Sequence, residues 1–116
     1  MSDFVWFFLV EVRARAGEQQ PLVEGSRAML QCFIPAPDLE GALPRLDKFL
    51  GLEAFDRVSV RIVKRFERNA DPDEIDNEIL SDGISQVAST GTAYRGVMIT
   101  SKETTRWKDE NEQPDQ

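Results

Sequence analysis

The opening of the chain, residues 4–15, alternates in a way that strongly limits what it can fold into. Phe8 and Val10 fall on one side of this stretch. The intervening Phe7 and Leu9 fall on the other. Side chains repeat with a period of two in a β-strand because successive residues point to opposite faces of the sheet. This spacing predicts a long first strand, and it also predicts strands over residues 27–34, 57–66 and 93–100.

The stretch after the second predicted strand has helical spacing. Asp38 is suited to cap a helix, and apolar residues recur at helical intervals as far as Leu50. Pro44 would lie past the first turn of a helix that began at Leu39, where proline removes a hydrogen bond and clashes with the preceding turn. We therefore expect regular helix to begin only near Ala42.

A second helix is predicted over residues 71–88. Asp71 would be its cap, and Pro72 would occupy the first position, where its missing N–H costs no hydrogen bond. Glu74 would complete a capping box with Asp71. Gly83 is expected to weaken the middle of this helix because glycine is a poor helix former.

The predicted order of elements is β-β-α-β-α-β, which indicates an α+β fold. We expect a two-layer sandwich in which two helices pack on a four-stranded mixed sheet. This is ferredoxin-like in element content but not in chain order. If both crossovers run the same way, both helices cover one face and the other stays open. Residues 1–100 would form this single domain, and residues 101–116 would be a polar, mobile C-terminal tail.

The absence of histidine limits the chemistry. The chain has no His and one Cys, which removes the commonest general base and the commonest metal ligand. We therefore predict no catalytic residues, no metal and no cofactor, and we expect the protein not to be an enzyme. Cys32 lies at an inward position of the second strand, where a buried, inert thiol is expected.

The lone cysteine also predicts a reducing compartment, and we expect the protein to be cytoplasmic. The apolar run near residue 5 is too short to span a membrane, so no membrane partner is expected. Charge is unevenly distributed along the chain, whose formal net charge is −7. Residues 57–70 are predominantly basic, whereas residues 71–92 contain acids and no base.

An uncovered sheet face would expose apolar residues beside arginines, a composition typical of protein interfaces. The predicted partner-binding residues are Phe7, Leu9, Arg13, Met29, Phe33, Arg57, Arg61 and Arg65. Two alternatives remain open. The arginines could be solvated or paired with acids such as Glu11, or the tail could fold back over the face with Trp107 as a plug.

We therefore expect a small acidic binding protein that acts by protein–protein contact, as a homodimer or with a partner that the sequence does not identify. In general character it is similar to bacterial inhibitor and immunity proteins, which neutralise basic toxin enzymes. That use would place the contact on an acidic helix surface of Asp73, Asp76 and Glu78.

Two other functions are weighed against this one. Arginines and aromatics on an open sheet could bind single-stranded nucleic acid, although the negative net charge of the chain opposes binding to a polyanion. A small enzyme or anionic-ligand module would use Tyr94 or Arg95.

Overall fold

The computed structural model describes residues 4–68, 75, 77–100 and 106. Within them it contains β1 (Phe4–Ala14), β2 (Arg27–Ala36), α1 (Leu39–Leu52), β3 (Phe55–Glu67), α2 (Glu78–Thr90) and β4 (Tyr94–Thr100). The α+β class, the packing of helix layers on one open four-stranded sheet and the order β-β-α-β-α-β are confirmed.

The strands lie in the order β3-β1-β2-β4, and each neighbouring pair is antiparallel. The prediction of a mixed sheet is therefore wrong. The crossover through α1 does connect two parallel strands, β2 and β3, but β1 lies between them. Parallel strands are thus never neighbours among the described residues. The central pair, β1 and β2, is joined through residues 15–26.

Each helix packs on a different face of the sheet. Leu46 of α1 belongs to a core that includes Phe8 of β1. Ile84 of α2 belongs to a second core that includes Phe7 and Phe33. The prediction that both helices cover one face is wrong. The handedness rule behind it applies to crossovers between parallel strands, whereas α2 connects β3 and β4, which run antiparallel to each other.

Helix α1 begins earlier than the sequence predicts. Its cap is Asp38, whose Oδ1 accepts a hydrogen bond of 2.7 Å from the Gly41 N–H. The helix starts at Leu39, not near Ala42, and continues through Pro44. Pro44 lies in the second turn and supplies no backbone donor there. The Asp38 cap and the burial of Ala42, Leu46 and Leu50 stabilise the helix around it.

Helix α2 begins later than predicted, at Glu78, with Asn77 as its cap. The Asn77 Oδ1 accepts from the N–H groups of Ile79 and Leu80, which is the usual chemistry of an asparagine cap. The predicted cap at Asp71 lies outside the described residues. Ile75 is described and is not helical, so α2 begins later in the chain than the apolar pattern predicted.

Gly83 allows α2 to approach the sheet closely. A Cβ atom at this position would lie 2.3 Å from two ring carbons of Phe33, far inside van der Waals contact. The glycine that weakens the helix in isolation is therefore required for its packing. Phe33 in turn lies beside Phe7, with ring centroids 5.2 Å apart.

Two β-bulges interrupt the pairing of β3 with β1. Leu9 pairs with Ile62 and Val10 with Val60, so Arg61 has no counterpart on β1. Val58 is the extra residue at the second irregularity. Each extra residue breaks the period of two, so β3 does not present its side chains in the simple alternation that its sequence suggests.

The two edges of the sheet differ in character. β3 forms one edge and carries Arg57, Arg61, Lys64 and Arg65 in addition to its bulges. β4 forms the other edge and has no charged residue from Gly96 to Thr100. Val97 and Ile99 on that edge are both exposed.

Substituting Gly83 tests the close packing of α2. Gly83→Ala should lower the free energy of unfolding by about 1–3 kcal/mol, because the added methyl group overpacks the contact with Phe33. Alanine alone would favour a helix by roughly 1 kcal/mol, so the sign of the change identifies the cause. Urea unfolding followed by circular dichroism measures it.

Gly51→Ala near the end of α1 is the matched control. Its Cβ would meet only Arg15 Nη2 at 3.5 Å, an ordinary contact. We expect this variant to gain about 0.4–1 kcal/mol from reduced freedom of the unfolded chain. If the two substitutions changed stability in the same direction, the close approach of Gly83 to Phe33 would not be supported.

Candidate functional site

Helix α2 covers only one end of the second sheet face. Beneath it, Val5, Phe7 and Phe33 are buried, and Phe66 and Tyr94 are half-buried. The prediction that Phe7 and Phe33 lie on an open surface is therefore wrong. Both helices were expected on the face that α1 covers, but α2 lies on the face that was predicted to bind a partner.

The other end of this face is not covered by either described helix. The side chains assigned to it by strand register and hydrogen bonding are Leu9, Glu11, Arg13, Arg27, Met29, Gln31, Asp56, Ser59, Arg61, Ile62 and Ile99. We call this set the uncovered half-face. Ile62 is 41% exposed and Ile99 is 50% exposed, so aliphatic surface is available to a partner between the arginines.

Glu11 is the centre of the uncovered half-face. Its Oε2 accepts from Arg27 at 3.2 Å, and its Oε1 accepts from Arg61 at 2.5 Å and from the Ser59 hydroxyl at 3.3 Å. The Glu11 side chain is only 16% exposed, whereas those of Arg27 and Arg61 are 48% and 56% exposed. The carboxylate thus lies beneath two guanidinium groups and fixes their positions.

The same contacts change the acidity of Glu11. The hydrogen bond from Arg61 lowers the pKa of this carboxyl below its ordinary value. Partial burial of the carboxylate raises its pKa, but this effect is smaller than that of the hydrogen bond. The charges of Arg61 and Arg27 lower the pKa further. Glu11 is therefore ionised at neutral pH and remains a hydrogen-bond acceptor for both arginines. A shallow depression of about 240 Å³ is lined by Glu11, Arg27 and Arg61 and also by Met29 and Ile99.

The bulges place the other arginines of β3 on the opposite side of the sheet. Arg57 pairs in register with Val12 and forms a 2.8 Å ion pair with Asp47 of α1. Arg65 is opposite Trp6 and lies 4.6 Å from the ring centroid of Phe4. The predicted row of three arginines is thus divided, because an inserted residue reverses the face of every residue beyond it.

The predicted partner-binding residues therefore separate into three groups. Arg13, Met29 and Arg61 lie on the uncovered half-face, and Leu9 lies at its boundary, where it packs in part against the core beneath α2. Phe7 and Phe33 are buried under α2, and Arg57 and Arg65 lie on the face of α1. Arg27 was expected on the same surface from its position on the face of β2 that carries Met29, and the alternation of β4 left the face of Ile99 open. Ile62 was expected on the opposite face, and the bulge beside it places it here.

The predicted acidic surface is described in part. Glu78 is exposed in the first turn of α2, and Asp73 and Asp76 lie outside the described residues. Tyr94 and Arg95, suggested for an anionic ligand, are on opposite faces. Tyr94 packs beside Phe33, and Arg95 forms a 3.0 Å ion pair with Glu53.

A wider groove of about 570 Å³ lies where Arg95 and Glu53 meet residues 17–21. Gln20 supports it from within, because its amide donates to the carbonyl oxygens of Glu53 and Ala54, each at 3.0 Å. Its Oε1 accepts from the Leu22 N–H. These polar groups are satisfied by the protein itself, so Gln20 holds the turn together and does not offer a binding group to the groove.

The predicted tail reaches the folded domain at one described point. The carbonyl oxygen of Arg106 accepts from the Val23 N–H at 2.8 Å and from the Ser26 hydroxyl at 3.2 Å. The Arg106 N–H donates to the same hydroxyl at 2.9 Å. Trp107, suggested as a plug over the sheet, lies outside the described residues.

Comparison of the chain with models of protein families, with curated proteins and with solved structures gave no match. None of the described helices is both long and apolar enough to cross a bilayer. Among residues 4–68, 75, 77–100 and 106, no three acidic or cysteine side chains converge as metal ligands would. The uncovered half-face is therefore the main indication of function among the described residues.

Cys32 should be unreactive in the folded protein. It is buried on the face of α1, and burial together with the charge of Glu53 raises the pKa of its thiol to about 12. Since the thiolate is the reacting species, we expect Ellman's reagent to label Cys32 at mildly alkaline pH only after urea unfolds the protein. Rapid stoichiometric labelling of the native protein would contradict this placement.

Glu11→Gln should be less stable than the wild type at neutral pH. Because the folded-state pKa of Glu11 is lowered, its contribution is present above the unfolded-state pKa of about 4.3. That contribution is lost as the pH falls through the folded-state value. The stability difference between the two proteins should therefore shrink on acidification, as measured by urea unfolding across pH. Glu24→Gln, at an exposed turn residue, is the control and should be close to the wild type in stability at neutral pH.

Proposed function

We propose that this protein is a non-enzymatic binding protein that acts by protein–protein contact through the uncovered half-face. The observation that carries the proposal is the arrangement of Arg27 and Arg61 around Glu11, beside the exposed aliphatic side chains of Ile62 and Ile99. Arginine and methionine are enriched in protein interfaces, and Met29 belongs to the same surface. Ordered side chains also lose less entropy when a partner binds.

Single-stranded nucleic acid is a less well supported ligand. The aromatic side chains that would stack on bases were expected on an open face, but Phe7 and Phe33 are buried under α2 and Tyr94 is half-buried there. The residues left on the uncovered half-face are aliphatic or polar. Base stacking supplies much of the affinity of such proteins, so its absence from this surface favours a protein partner.

Placing charge on the aliphatic part of the surface tests the proposal. We expect Ile62→Glu/Ile99→Glu to abolish association with a partner, because each carboxylate would have to be buried in the contact at a cost of several kcal/mol. Affinity capture from the native host, quantified by mass spectrometry, compares the variant with the wild type. Sedimentation equilibrium of the wild type measures self-association.

Ile79→Glu is the matched control, since Ile79 is 44% exposed and belongs to α2, not to the uncovered half-face. It should retain any partner that the wild type captures, and circular dichroism should show that all variants fold. If the wild type sedimented as a single chain and captured no protein that depends on Ile62 and Ile99, the proposed function would be wrong.

A further inference from the structure

The uncovered half-face is basic on an otherwise acidic protein. Among the described residues it carries Arg13, Arg27 and Arg61 against the carboxylates of Glu11 and Asp56, whereas the chain as a whole has a formal charge of −7. Asp56 also forms a 3.3 Å ion pair with Arg15. The surface therefore has a sign of charge that selects among partners.

A second copy of this chain fits the charge poorly. Two copies joined through their uncovered half-faces would bring the same three arginines of each chain together. Like charges that approach in a partly desolvated contact disfavour association. An acidic surface meets the same arginines favourably, so the charge distribution favours a different protein as the partner.

The cluster around Glu11 also orders the arginines before a partner arrives. Each guanidinium is tied to one oxygen of the same carboxylate, and Arg27 and Arg61 belong to the two strands that flank β1. A guanidinium carries five N–H donors in a fixed plane and binds carboxylates well. With more than half of its side chain exposed, Arg61 can bind another acceptor without leaving Glu11.

From these observations we infer that the Arg27–Glu11–Arg61 cluster recognises carboxylate side chains on an acidic, aliphatic segment of a partner protein. Carboxylates of the segment bind the guanidinium groups, and its aliphatic side chains pack on Met29, Ile62 and Ile99. This inference rests on the proposed function and adds to it the chemical class of the partner. It also differs from the immunity-like hypothesis, in which the protein would present its own acids to a basic enzyme.

Selection from a library of random dodecapeptides displayed on phage tests the inference. Wild-type protein is the target, and the Ile62→Glu/Ile99→Glu variant removes peptides that bind elsewhere. We expect the surviving peptides to be enriched in Asp or Glu together with Leu, Ile or Val. Fluorescence anisotropy of one enriched peptide then measures affinity, which should fall as the salt concentration rises.

Two charge-matched double variants identify the arginines responsible. Arg27→Gln/Arg61→Gln should weaken binding of the acidic peptide at least about tenfold, because it removes two charge-assisted hydrogen bonds. Arg57→Gln/Arg65→Gln removes the same charge from the other face of the sheet and should leave the affinity within about twofold of wild type. Equal losses in both would mean that net charge alone attracts the peptide, which would overturn the inference.

The outcomes separate failure of the inference from failure of the proposed function. Basic or uncharged peptides that depend on Ile62 and Ile99 would overturn the inference and leave the proposed function standing. A selection without any peptide dependent on those residues would count against both. A labelled oligothymidylate that bound the wild type and not Arg27→Gln/Arg61→Gln would indicate nucleic acid as the ligand. Sedimentation of the wild type as a dimer that is lost in Ile62→Glu/Ile99→Glu would identify a second copy as the occupant.

Discussion

Strand β1 requires cover on both of its faces, and the rest of the structure follows from that requirement. It lies between β3 and β2 in the sheet, so its backbone is paired on both sides. Phe8 is fully buried toward α1, and Val5 and Phe7 are buried toward α2. A helix on only one face would leave large apolar side chains in water. The two helices therefore lie on opposite faces, and α2 packs closely on the sheet because Gly83 has no side chain.

The sequence does indicate that β1 is buried on both faces, although a period of two alone does not predict it. The run from Val5 to Val10 is apolar without interruption, which is typical of a strand buried on both faces. From Glu11 onward the pattern changes, because Val12 is buried and Arg13 is exposed. The point where continuous apolar character gives way to true alternation coincides with the point where the cover of α2 ends. Residues 4–15 contain both patterns, and treating them as one placed Phe7 on an open surface.

The elements and their order could be predicted because each depends on local pattern and capping. The faces of the arginines could not, because a β-bulge arises from the pairing of two strands and neither strand specifies it alone. Glu11 illustrates the limit: its possible pairing with arginines was anticipated, but its contacts with both Arg27 and Arg61 depend on that pairing. The start of α2 was also underdetermined, since Asp71 and Asn77 are both good caps in sequence.

The unequal edges of the sheet bear on how this protein behaves at high concentration. The positive charges of β3, together with its bulges, make that edge a poor template for a strand of another molecule. β4 has one irregularity of its own in its pairing with β2, but from Gly96 to Thr100 it has neither charge nor proline, and Val97 and Ile99 are exposed along it. Aggregation by strand addition should therefore begin at β4, and a lysine in place of Val97 would be the simplest change to improve solubility while leaving the Arg27–Glu11–Arg61 cluster intact.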